Sequence, residues 1–320
     1  MQENVPLIPF LNEMADIYNY PIMTDVTDNK TLHLPNDFVR FLVLTSYVSR
    51  NILLLMMYLV AHITRQTETL EIIQRPVRKL ASSLGINLTG EANYQSMITM
   101  LHNAESAYVQ LASEDAQTEK VSLFQRCDYS IDDKMVTLQL AKQWEEVFIG
   151  VGFRKTVVHW GYIKQLSSPL AIWLFLVCAS IKGGEYVLEY KIDHLMKLCG
   201  QGTKVVGDFT SRLIKATYEV NAKTDISALL YFARKGHNIA AVQLRAKGKS
   251  KEEMRNAGIT ADAPRRTLPK VTKADMRKAV VVNTAFRVAP GHVLSVSDKH
   301  VRSAEQYCRM TERDKQEDYI

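Results

Sequence analysis

The sequence predicts an α+β, mainly helical fold: two copies of one small unit in tandem, followed by a basic C-terminal extension. Three observations carry this. Two strongly apolar stretches, "SRNILLLMMYLVAHIT" at 49–64 and "SSPLAIWLFLVCASIKGG" at 167–184, align at an offset of 118, which lays 53–60 on 171–178 and Ile63 on Ile181. The segments after the two stretches are alike in kind, so the apolar runs open two repeats. Charge is uneven: 245–320 holds 17 Lys/Arg against 10 Asp/Glu, while 1–244 holds 23 against 24.

In the first copy the apolar stretch leads to a short extended piece, "TLEII" (69–73). "RPVRKLASSLG" (75–85) reads as a compact helix, with Pro76 early and Gly85 as its stop. "EANYQSMITMLHNAESAYVQLA" (91–112) reads as one longer helix, with a core stripe of Tyr94, Ile98, Leu101 and Tyr108. "EKVSLFQRCDYSIDDKMVTLQL" (119–140) supplies two extended segments around a polar turn.

In the second copy "EYVLE" (185–189) is extended, and "YKIDHLMKLCG" (190–200) is a helix ending at Gly200. "TKVVGDFTSRLIKATYEVNA" (203–222) is a long helix on which Phe209, Leu213, Ala216 and Val220 share one face, at steps of four, three and four. "ISALLYFARKGHNIAAVQLRA" (226–246) is a hairpin turning at 234–238. Helix, strand, helix, helix and a two-stranded wing make a winged helix-turn-helix. The expected organisation is an N-terminal arm over 1–44, winged-helix domains over 45–150 and 151–247, and the extension over 248–320. The arm packs through Phe10, Leu11, Ile17 and Tyr18; in the extension, 279–296 is apolar enough to be a strand or to dock on the body, and 298–320 reads as a charged helix.

Each opening stretch is apolar nearly all round, which suits a helix buried between neighbouring units. Neither reaches the roughly 18–20 apolar residues that cross a bilayer. The N-terminus, "MQENVPLIPF", has no basic region followed by an apolar one and a cleavage site, so a cytoplasmic protein is expected. With 47% hydrophobic and 23% charged residues, wholesale disorder is excluded. Cys127, Cys178, Cys199 and Cys308 are scattered without zinc spacing and read as free, mostly buried thiols.

The order of elements resembles the theta-type plasmid replication initiators, a family with two winged-helix domains that binds repeated double-stranded origin sites. "FRKTVVHWGYIKQLSSPLAIWLF", "DFTSRLIKATYEVNAKTDI" and "RKGHNIAAVQL" carry the resemblance in the second copy; "RNILLLMMYLV", "VRKLASSLG" and "VSLFQRCDYSIDDKMVTLQL" carry it in the first. The resemblance spans about 45–247. It implies non-enzymatic recognition of duplex DNA, with the third helix of each unit in a major groove and the wing on phosphates. In the second unit the implied contacts are Lys204, Ser211, Arg212 and Lys215 on the reading helix and Arg234, Lys235 and His237 at the wing. Arg154 and Lys155 at the junction are candidate phosphate clamps. In the first unit the matching helix offers Asn93, Gln95, Ser96, Thr99 and Asn103, of which Asn and Gln suit adenine. The family also implies a homodimer through the first domain.

Three departures favour an alternative. The body is not basic, the first unit's helix carries no Lys or Arg and opens with Glu91, and the tail beyond 247 has no counterpart in the family. The same fold then serves sequence-tolerant binding of RNA or single strands, as in a phage-encoded protein on mRNA, held electrostatically by the tail. An unrecognised nuclease is the third expectation.

No motif points to bond chemistry, a metal or a cofactor. "RAKGKS" (245–250) ends like a phosphate-binding loop but has Gln243 where the motif requires glycine. No His-x-His pair occurs among the eight histidines, and His62 and His159 read as hydrogen-bonded core residues. Asp132–Asp133 falls in a hairpin turn, and Glu145–Glu146 on a short helix, where adjacent side chains diverge.

Overall fold

The structure, a computed structural model, describes residues 26, 30–43, 48–63, 67, 69–112, 118–149, 155–200, 205–235, 238–260, 280–283 and 292–296. The expected contacts through Phe10, Leu11, Ile17 and Tyr18, and the expected helix over 298–320, lie outside these residues.

The chain enters through β1 (Thr31–Pro35), α1 (Asn36–Phe41) and β2 (Leu42–Val43). The first opening stretch is α2 (Arg50–Val60), capped by Ser49, whose side chain accepts from Ile52 N. All of Ile52 to Val60 is buried. β3 (Ile73–Pro76) and α3 (Val77–Ser83) follow, and Gly85 takes φ 68° just past the helix. The next helix, α4, spans Glu91–Glu105 and is shorter than its sequence suggested, because Tyr108–Ala112 forms β4. β4 is held in a three-stranded sheet between β2 and β5 (Thr118–Ser122). α4 buries Met97, Met100, Leu101 and Ala104, while Tyr94 and Ile98 are only half-buried. The wing hairpin is β6 (Phe124–Ser130) with β7 (Met135–Leu140), joined to β3 in the order β3-β7-β6. A short helix, α5 (Trp144–Phe148), completes this part.

β8 (Lys155–His159) pairs antiparallel with β1 and leads through α6 (Trp160–Gln165) to the second opening helix, α7 (Pro169–Ala179). Ser168 caps α7 as Ser49 caps α2, and Pro169 stands at its first turn. Both helices have 11 residues, and their caps are 119 positions apart rather than 118. Leu170 to Ala179 are all buried. At about 1.5–3 kcal/mol for each large apolar side chain, α7 is a principal source of stability.

β9 (Gly183–Lys191), α8 (Ile192–Leu198), α9 (Val206–Lys223), β10 (Ile226–Lys235) and β11 (Asn238–Gly248) follow the order of the first run without counterparts of β4 and β5. Gly200 takes φ 66° after α8, as its position implied. α10 (Lys251–Asn256) starts with a full capping box between Ser250 and Glu253. Two strands of the extension, β12 (Val280–Asn283) and β13 (His292–Val296), pair parallel with β10 and β9 respectively, giving the order β12-β10-β11-β9-β13.

One hydrophobic core runs through both runs of elements. Arg50, at the start of α2, donates from its guanidinium to Lys164 O at 2.7 Å and to Leu166 O. Trp160 Nε1 donates to Ser83 O at 3.3 Å. His62 is half-buried, with Nδ1 2.9 Å from Tyr58 O. His159, in contrast to its expected core placement, is exposed at the end of β8. Glu145 accepts from Leu70 N at 3.1 Å, and Asp132 and Asp133 sit exposed in the turn between β6 and β7.

Candidate nucleic-acid interface

α9 is the most amphipathic surface in the second run. Phe209, Leu213, Ala216 and Val220 are buried, as their spacing required. Gly207, Ser211 and Lys215 follow at steps of four on the outward side, with Asp208 and Arg212 beside them; all five are exposed. Ser211 Oγ donates to Gly207 O at 2.9 Å, which occupies its proton within the helix. Arg212 lies near enough to the Cys199 thiol to oppose the upward shift that burial imposes on it.

The C-terminal half of α9 is anchored by residues whose role the sequence did not disclose. Glu219 and Lys223 form an ion pair at 2.6 Å, with side chains only 9% and 5% exposed. Glu219 also accepts from Ser167 N at 2.8 Å and from Ser167 Oγ at 2.6 Å, and Lys223 Nζ donates to Gln165 O at 3.0 Å. The segment Gln165–Ser167 is therefore tied to α9, while Arg50 ties its neighbouring carbonyls to α2. Asn221 exchanges two hydrogen bonds with Ala228 of β10, at 2.9 and 2.6 Å, fixing the helix to the wing. Lys249 donates to Thr224 O at 2.8 Å and to Asn221 O, satisfying carbonyls at the end of α9. Burial lowers the pKa of Lys249 to about 8, against the opposing pull of Asp225 and Glu253. The stretch "EVNAKTD" is thus an anchor, and the outward turns of the helix are left for contact.

At the wing, Arg234 is exposed where the β10–β11 register shifts, and Lys235 ends β10 opposite Asn238. Lys204, His237 and Arg154 lie outside the described residues. Lys155 is half-buried in β8, opposite Pro35. The structure therefore gathers Ser211, Arg212 and Lys215 on one face and puts Arg234 on the hairpin, while Lys155 lies on the β1–β8 ribbon.

The first run differs in kind. Asn93, Gln95, Ser96, Thr99 and Asn103 are all exposed on α4. Asn93, however, falls in line with buried Met97, Met100 and Ala104, so it leaves the outward row to the other four. Three of these side chains are engaged locally: Asn93 donates to Thr89 O at 2.7 Å, Gln95 to Glu91 Oε1 at 2.7 Å, and Thr99 to Gln95 O at 2.9 Å. Tyr94 and Tyr129 share a hydroxyl hydrogen bond that pins α4 to β6. Beside the helix, the wing tip exposes Ile131, Asp132, Asp133 and Lys134. Such a face offers phosphates little net attraction.

Among the described residues no group of three or more His, Cys, Asp or Glu side chains is placed to hold a metal ion, and no helix is long and apolar enough to cross a membrane. Cys127, Cys178 and Cys199 are buried thiols. Burial raises the Cys127 thiol, with help from Asp128 and Glu105, and the Cys178 thiol, each to about 12.

Residues 35–179 match a protein-family model described as "Initiator Replication protein, WH1". The chain resembles the theta-type plasmid replication initiators. The matched span of this initiator-like chain runs from the end of β1 through α7, so it takes in both apolar opening helices. A crystal structure of the Pi initiator protein in complex with iteron DNA superposes with a TM-score of 0.55 at 14% identity, covering 71% of this chain and 100% of that one. At that identity the likeness is one of fold. No curated protein matches the chain.

Proposed function

We propose that this initiator-like chain is a non-enzymatic DNA-binding protein of two winged-helix domains that occupies duplex repeats at a replication origin. Its two runs of helix, strand, helix, helix and hairpin would be those domains. The observation that carries the proposal is α9: a long helix anchored by buried polar bonds at one end, with Ser211, Arg212 and Lys215 turned outward, in a fold similar to an initiator over that initiator's whole length. Arg212 is suited to guanine or phosphate and Lys215 to phosphate. Arg234 and Lys235 on the hairpin would hold the flanking backbone, and Lys204, His237 and Arg154 would extend the same grip. On the first domain, Gln95, Ser96, Thr99 and Asn103 would contribute hydrogen bonds with little electrostatic attraction. Pairing with a second copy would fall to the same domain, as the resemblance to the initiators implies.

Titrating the full chain with duplex DNA, single-stranded DNA and RNA, each at two salt concentrations, tests this. A duplex preference that survives competitor DNA is expected. Equal or tighter binding to RNA would replace the proposal with sequence-tolerant RNA binding on the same fold.

A further inference from the structure

We infer that the first turn of α9 is the base-reading tip of the interface, with Val205 packing on a thymine methyl and Gly207 allowing the groove floor to approach. This rests on the proposal that α9 meets duplex DNA. It adds the residues that set which bases are chosen.

Three choices at this turn work against folding. Val205 is the N-cap of α9, a position that favours Ser, Thr, Asp or Asn, and it makes no side-chain capping bond. It is also 68% exposed, one of only two large hydrophobic side chains so exposed among the described residues. Two positions later stands Gly207, inside the helix, where glycine is disfavoured relative to alanine. Nothing among the described residues explains it. Gly207 does not adopt a positive φ, and a Cβ built there meets no atom within 4 Å. Glycine freed from both conformational and packing demands serves where something outside the chain comes close to the backbone. Residues that break local rules without a compensating contact mark a functional surface.

The chemistry of the turn selects a major groove. An apolar side chain at the tip of a reading helix finds its partner in the thymine C5 methyl, the apolar group the major groove displays. Asp208, exposed beside Gly207, is an acceptor for the cytosine N4 amino group. Ser211, Arg212 and Lys215 continue the row toward guanine edges and phosphates. The N-terminal residues of a reading helix are those that reach base edges. The expected DNA site therefore contains thymine and cytosine near one end of the α9 contact and guanine near the other.

The test uses the full chain and a duplex enriched from a random library, compared with the same duplex carrying deoxyuridine in place of each thymine in turn. One replacement should weaken wild-type binding about fourfold, the value of one buried methyl group. Val205→Ala should bind the thymine and uracil duplexes equally. Gly207→Ala should keep or raise the melting temperature, since the added methyl suits a helix, yet bind the enriched duplex about tenfold more weakly. Unselected duplex should lose less affinity than the enriched one, so that the ratio between the two falls. A merely structural glycine would show the opposite pattern, reduced stability with unchanged discrimination. Retained thymine preference in Val205→Ala, or wild-type affinity in Gly207→Ala, overturns the inference while leaving duplex binding intact. Failure of the wild-type chain to enrich any duplex overturns both.

Discussion

Replacing Glu219 by alanine removes an acceptor that serves Lys223 Nζ, Ser167 N and Ser167 Oγ at once. Lys223, with a side chain 5% exposed, is then left with Gln165 O and no counter-charge. Breaking one partner of a buried ion pair costs about 3–5 kcal/mol, because the other charge stays buried without compensation. The Ser167 N–H, orphaned by the same change, is part of that cost. Since whole domains are stable by about 5–15 kcal/mol, Glu219→Ala alone should remove about a fifth of the margin at the least. Glu219→Gln keeps an acceptor and should lose less. Glu219→Ala combined with Lys223→Met should recover much of the loss, since no unpaired charge then remains buried. Urea unfolding followed by circular dichroism, with equal slopes required across the variants, measures these three and Lys223→Met alone. The reasoning is refuted if Glu219→Ala falls within about 1 kcal/mol of wild type, or if the double variant is as unstable as the two single losses added.

The titrating groups give two further expected outcomes. The folded chain releases the Lys249 proton near pH 8, below the 10.5 of an unperturbed lysine, so the unfolded state holds more protons in between. Stability should therefore gain a contribution as pH rises from about 8 toward 10.5, and Lys249→Met should lack that gain in unfolding curves taken at pH 7, 8, 9 and 10. Because Cys127, Cys178 and Cys199 are buried, with thiol pKa values raised, a thiol reagent at pH 8 should label at most one of the four cysteines before unfolding and all four in denaturant. Labelling of two or more in the native protein would show that the core opens readily.

The sequence disclosed elements defined by local chemistry and missed those that distant partners decide. Ser168 and Pro169 mark the start of α7, and Gly85 and Gly200 the ends of the short helices, all through local backbone preferences. Because α2 and α7 are buried almost all round, hydrophobic matching has no face to lock onto, and the alignment slips by one residue. The serine caps, which bond specific backbone N–H groups, restore the register. Tyr108–Ala112 continues a helical pattern yet forms a strand because β2 and β5 flank it, a pairing no local window contains. At the interface, exposed Arg212 and Lys215 are legible as charges opposite an apolar stripe. Glu219 and Asn221 look equally available, but their partners in Gln165–Ser167 and β10 turn them inward. Val205 and Gly207 carry neither charge nor a hydrogen-bonding side chain. Their signal is that each is a poor residue for its place in the helix, which emerges only once the helix boundary is known.

Whether α9 grips a polyanion is tested most directly by fluorescence anisotropy of labelled duplex DNA with wild type and Arg212→Ala/Lys215→Ala, across a series of salt concentrations. The double variant should unfold like wild type, bind more weakly, and show a plot of log K against log salt that is shallower by about 1–2, near 0.9 for each phosphate no longer neutralised. Unchanged affinity and an unchanged slope would place the interface elsewhere on the chain.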